Sequence, residues 1–138
     1  MKLDAARSLI ADALGRMDAL YGATVFDEWV VISLHSDRSR ILAYSGPRSE
    51  SYLQRFAADV APLRTEMAGK RFAVGDFEFV PDAAGTHYDA CVRLGAGSYL
   101  ICNHTVQSMA QIRRNPNWIE AQKPFAELSE KFRSDPLA

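Results

Sequence analysis

The sequence predicts an α+β fold in which a single five-stranded antiparallel sheet is flanked by helices. Apolar residues near both ends of the chain and in its middle recur at spacings of three and four, the period of an amphipathic helix. The segments between them are β-branched or alternate with a period of two, as strands do. Clusters of Gly, Pro, Asn and Asp separate these segments. The predicted order is therefore α-β-β-α-β-β-β-α, with the last helical region divided in two.

The first helix is predicted over residues 3–21, where the apolar positions form one stripe. Gly22 follows it and can adopt the left-handed conformation that ends a helix. Residues 29–34 are β-branched and nearly all apolar, which is typical of a strand covered on both faces, or on one face and by a partner on the other. Residues 40–44 are its predicted neighbour, joined to it by the polar loop 35–39.

A central helix is predicted over residues 52–67, with a kink or break caused by Pro62 inside its apolar stripe. A three-stranded antiparallel meander follows it. The predicted strands of this meander lie near residues 77–80, 88–94 and 99–102.

The tight turn between the last two strands sets their predicted register. Gly95-Ala96-Gly97 has the composition of a short hairpin turn. If Ala96-Gly97 is a two-residue turn, Cys91 lies across from Cys102, and the two cysteines are neighbours on one face of the sheet.

The C-terminal region is predicted to be helical. A short helix capped by Thr105 runs through Ile112, and a longer apolar stripe spans residues 118–132. Pro124 is expected to interrupt this stripe and to mark the first turn of a separate terminal helix. Residues 134–138 are expected to fray. No long linker divides the chain, so residues 1–138 are predicted to form a single domain.

Composition and charge exclude several classes of protein. Sixteen Lys and Arg residues against seventeen Asp and Glu residues give a formal net charge of −1, which argues against nucleic acid or an anionic membrane as the partner. No uncharged apolar run approaches the roughly 20 residues that span a bilayer. Two cysteines are too few for a disulfide framework. With no signal-peptide pattern at the N-terminus, the predicted location is the cytoplasm.

Residues that bear chemistry do not converge in the sequence. The three histidines, His35, His87 and His104, belong to no spaced metal motif, and the glycines form no phosphate loop. The prediction is therefore a non-enzymatic protein without catalytic residues, cofactor or metal. One enzymatic alternative stays open: Cys91 near Arg93 could act as a thiol nucleophile, since a nearby cation lowers a thiol pKa.

Aromatic residues beyond those a small core needs predict an interaction surface. Tyr52 and Phe56 lie on the apolar stripe of the predicted central helix, and Phe77 and Phe79 share one face of a predicted strand. These four residues are the predicted dimer or partner interface, and the predicted partners are a second copy of the chain or another protein.

An alternative interpretation is a small-molecule sensor domain. Its ligand would lie in a mainly apolar pocket between sheet and helices. The predicted lining residues are Trp29, Tyr44, Tyr88 and Tyr99.

Two segments resemble the roadblock/dynein light chain family, which has a profilin-like fold. The first is the hairpin of residues 29–46 leading into the stripe of residues 52–67, and the second is the segment Cys91-Val92-Arg93-Leu94-Gly95-Ala96-Gly97-Ser98-Tyr99-Leu100-Ile101. The resemblance covers roughly residues 3–113. The first hairpin departs from the family pattern because it lacks the usual turn glycine. The resemblance implies a small non-enzymatic protein that dimerises through the central helix and a sheet edge and works with a small Ras-like GTPase.

Overall fold

A computed structural model of the chain describes residues 1–34, 39–45, 77–81, 88–95, 97–104 and 109–137. In chain order the described elements are helix α1 (Leu3–Tyr21), strands β1 (Phe26–Leu34), β2 (Ser39–Tyr44), β3 (Phe77–Pro81), β4 (Tyr88–Gly95) and β5 (Ser98–His104), and helices α2 (Met109–Arg114) and α3 (Trp118–Ser134). The described strands form one antiparallel sheet in the order β2-β1-β5-β4-β3. The predicted α+β class is confirmed. The predicted central helix over residues 52–67 and the kink at Pro62 lie outside the described residues.

Helix α1 has the predicted bounds and buries the middle of the predicted stripe, whereas Leu3 and Leu20 near its two ends are exposed. It ends at Gly22, whose φ of 71° is left-handed and whose N–H donates to the Asp18 carbonyl at 2.8 Å. The Asp18 side chain accepts a second hydrogen bond, from the Val25 N–H, which fixes the turn into β1. The buried residues of α1 are Ala6, Ile10, Ala13, Leu14 and Met17.

One glycine inside α1 and the glycine that follows its last residue give opposite predictions for the same substitution. Gly15 lies inside the helix and is exposed, with no atom within 4 Å of an added Cβ. We expect Gly15→Ala to raise the free energy of unfolding by about 0.5–1 kcal/mol, because alanine favours the helical conformation. We expect Gly22→Ala to lower it by about 1 kcal/mol, because alanine avoids positive φ. Urea denaturation of both variants checks this, and equal shifts would contradict it.

The centre of the sheet is buried on both faces. Side chains alternate between faces along a strand, so Leu100 and Ile101 of β5 point in opposite directions, yet both are at most 1% exposed. Leu100 belongs to the core cluster shared with the helices, as do Trp29, Val31, Ala43, Phe77, Phe79, Ala90, Val92, Leu94 and Cys102. The opposite face buries Val30, Ile32, Cys91 and Ile101. Of the two alternatives for the apolar strand β1, coverage on both faces is therefore the observed one.

The register between β4 and β5 differs from the prediction by one residue. Gly95 pairs with Ser98 as a two-residue turn requires, and Gly97 has a φ of 77°. An irregularity between Arg93 and Gly95 then inserts one extra residue in β4, so Cys102 pairs with Ala90. The prediction that Cys91 lies across from Cys102 is wrong. The two thiols lie on opposite faces of the sheet.

Helix α3 is continuous through Pro124, so the predicted interruption there is wrong. A proline inside a helix removes one backbone hydrogen bond and costs about 3 kcal/mol. Ala121 and Phe125 lie on either side of it and are fully buried, and Leu128 and Phe132 continue the apolar face. Because each large buried apolar side chain contributes about 1.5–3 kcal/mol, the packing of this face outweighs the lost hydrogen bond.

The end of the chain contacts its beginning. The Met1 amino group donates to Asp135 Oδ1 and to the Pro136 carbonyl, each at 2.8 Å, and Leu137 packs against the core. The described residues of the tail therefore contact both the N-terminus and the core. Further along, Arg16 donates to Glu127 at 3.3 Å, so α1 and α3 lie side by side and run antiparallel.

Candidate functional site

The predicted interface residues Phe77 and Phe79 lie on β3 and pack within their own chain. Their exposed fractions are 9% and 6%. The Phe77 ring meets Trp118 at 5.3 Å and Phe125 at 4.8 Å between centroids, both edge to face. This packing leaves little exposed surface on either ring for a partner to contact. Burial in the core of the chain is enough to explain why both residues are aromatic. Tyr52 and Phe56, the other predicted interface residues, lie outside the described residues.

Residues at the corner between α2 and α3 complete this aromatic cluster. Trp118 is half-buried and also lies 5.9 Å from the Phe79 ring. The Arg113 guanidinium lies 4.6 Å from the centroid of the same ring, in cation–π geometry, while its side chain stays exposed. No motif in the sequence distinguishes Arg113 from other basic residues. An arginine five residues before a tryptophan is not a signal that could have revealed this stacking.

Of the predicted ligand-pocket residues, Trp29 and Tyr99 lie on opposite faces of the sheet. Trp29 is 7% exposed and belongs to the core cluster between the sheet and the helices. Tyr99 pairs with Ile32 and Arg93 and lies on the opposite face. Tyr44 is the last residue of the end strand β2, and the Arg7 guanidinium lies 5.7 Å from the centroid of its ring. Tyr88 begins β4, and its side chain lies outside the described part of the chain.

The two cysteines are fully buried and form no disulfide. A buried cysteine side chain usually behaves as a small packed hydrophobe. Of the three histidines, His35 and His87 lie outside the described residues, and His104 is the last residue of β5, where it pairs with Phe26.

Ser129 holds α3 against the irregular part of β4. Its hydroxyl is fully buried and lies 2.9 Å from the Phe125 carbonyl and 3.1 Å from the Arg93 carbonyl, which borders the register shift. A carbonyl beside such a bulge leaves the regular ladder, so the serine supplies its hydrogen bond. The sequence signal for this contact is the position of Ser129, four residues after Phe125 and therefore on the same buried side of the helix.

Tyr21 joins the end of α1 to the end of α2. Its hydroxyl donates to the Ile112 carbonyl at 2.7 Å, and Asn117 donates to the Leu20 carbonyl at 2.9 Å beside it. Partial burial raises the pKa of the Tyr21 phenol above its ordinary value of 10.0, because burial disfavours the phenolate. The contact therefore requires the neutral phenol, which is the form present at neutral pH.

This raised pKa predicts a loss of stability at alkaline pH. The unfolded chain releases the Tyr21 proton near pH 10.0, whereas the folded protein holds it to a higher pH. The Tyr21 contribution is therefore complete below pH 10 and decreases as the pH rises through the folded pKa. We expect the difference in unfolding free energy between the protein and Tyr21→Phe to shrink above pH 10 in urea titrations. A difference that stays constant from pH 8 to 11 would contradict this.

The described residues form an open groove and a smaller cavity beside α3. Among them, no group of three or more His, Cys, Asp or Glu side chains could hold a metal ion. An open groove of about 450 Å³ lies between the N-terminal half of α1 and the last turn of α3, and a smaller cavity of about 150 Å³ lies beside the β4–β5 turn. Within the same residues, no helix has the length and apolar character needed to cross a membrane.

Comparison of the chain with protein-family models, with curated proteins and with solved structures gave no match.

Proposed function

We propose that this chain is a non-enzymatic protein-interaction domain that forms a homodimer and, as the family resemblance implies, regulates a small Ras-like GTPase. The observation that supports it best is the pair of strands at the ends of the sheet. Within the described residues, no strand pairs with the outer edge of β2 or of β3. Because an end strand presents main-chain N–H and C=O groups that readily pair with another chain, such an edge is suited to self-association.

The order of the elements gives further support. The N-terminal helix and the C-terminal helices lie on the same face of an antiparallel sheet whose first hairpin forms one end. This is the layered arrangement that the resemblance to the roadblock/dynein light chain family implies. The resemblance also supplies the interface: a sheet edge together with the central segment that carries Tyr52 and Phe56.

The packing of Phe77 and Phe79 limits which groups of β3 are available to the proposed dimer interface. Because both rings pack against neighbours within the chain, an interface at this strand would use its main-chain groups rather than these side chains. The proposed interface side chains are therefore Tyr52 and Phe56.

The two cysteines support a cytoplasmic location. Cys91 and Cys102 form no disulfide and lie on opposite faces of the sheet, so a disulfide between them would require rearrangement of the fold. Cysteines that form no disulfide are typical of proteins kept in a reducing compartment.

The oligomeric state tests the proposal directly. We expect light scattering at tens of micromolar to give a mass of twice the 15.3 kDa of one chain. A mass of one chain over the whole concentration range would overturn the dimer and, with it, the proposed mode of action.

Single substitutions test the interface. We expect Phe56→Arg to give a monomer, because an interface core excludes an unpaired charge. Ile119→Arg is the matched control, since Ile119 is 73% exposed at the start of α3 and lies outside the proposed interface, so this variant should stay dimeric. Circular dichroism establishes that each variant is folded, and Tyr52→Arg replaces Phe56→Arg if the latter does not fold. A folded, dimeric Phe56→Arg or Tyr52→Arg would overturn this interface.

Binding of the proposed GTPase partner is tested separately from dimerisation. We expect titration calorimetry to detect binding of a small Ras-like GTPase from the same organism, loaded either with GDP or with a non-hydrolysable GTP analogue. Heat of binding in neither nucleotide state, with a dimer by light scattering, would overturn the GTPase as partner and leave the dimer in place.

A further inference from the structure

We draw no further inference here: the strongest candidate, the open groove of about 450 Å³ between α1 and the last turn of α3, with Met1, Ala5 and Leu9 on one side and Lys131 on the other, is an apolar face for which nothing in the described residues shows what covers it.

Discussion

Replacing Phe125 by alanine is expected to lower the free energy of unfolding by about 3–5 kcal/mol. Phe125 is fully buried, and its ring packs edge to face against Phe77 with centroids 4.8 Å apart. The substitution removes apolar contacts and leaves a cavity. One turn further along, the Ser129 hydroxyl lies 3.1 Å from the Arg93 carbonyl, so α3 already contacts β4 beside the substituted position. Since domains of this size are stable by about 5–15 kcal/mol, the loss is a large fraction of the total.

Urea denaturation followed by circular dichroism measures this loss. Ile119→Ala is the matched control, because Ile119 lies on the same helix with 73% of its surface exposed. We expect the control to change the unfolding free energy by less than about 0.5 kcal/mol. Equal small effects of the two substitutions would show that α3 does not pack on the sheet. A large loss would establish that the C-terminal helix is part of the core rather than a removable cover.

Replacing either Leu100 or Ile101 by asparagine is expected to cost about 4 kcal/mol or more. Each substitution removes a buried aliphatic side chain and places an amide among apolar neighbours that cannot form hydrogen bonds with it. The two residues are adjacent on the inner strand β5, and their side chains lie on opposite faces of the sheet. In a sheet with one solvated face, one of two adjacent positions tolerates a polar residue. Here neither position should tolerate it.

Thermal unfolding of the two variants checks this expectation. Ser98→Asn is the control on the same strand, since Ser98 is half-buried and already polar, and we expect it to shift the midpoint only slightly. A variant Ile101→Asn that unfolds at the midpoint of the unsubstituted protein would contradict the burial of the second face. If only Leu100→Asn lost stability, the burial of the face that carries Ile101 would likewise be contradicted.

The sequence predicted helices and strands well where one strong periodicity decided the element. The stripe of α1 and the glycine that ends it were predicted because both signals are local. The break at Pro124 was predicted wrongly, because the local cost of a proline says nothing of the apolar face that packs on both sides of it. Tertiary packing, which the sequence does not display, determined this outcome.

Register and sites were harder to predict for a related physical reason. The turn at Gly97 was predicted correctly, yet one inserted residue in β4 moved Cys91 to the face opposite Cys102. A bulge of this kind leaves no periodic signal in the sequence. The aromatic residues Phe77 and Phe79 were assigned to an interface, because composition shows an excess of aromatic surface but not which helix covers it. Their contacts with Trp118 and Phe125 come from residues some 40 positions later in the chain.

The antiparallel contact of α1 with α3 has a consequence for how the chain folds during synthesis. The apolar face of α1 and the helix-facing side of the sheet share one core with residues up to Phe132. Folding of this core therefore requires α3, whose contact with α1 through Arg16 and Glu127 joins residues 111 positions apart. Before α3 has been synthesised, the apolar face of α1 is exposed to association with other nascent chains. Productive folding should accordingly depend more on the arrival of α3 than on early formation of the first hairpin.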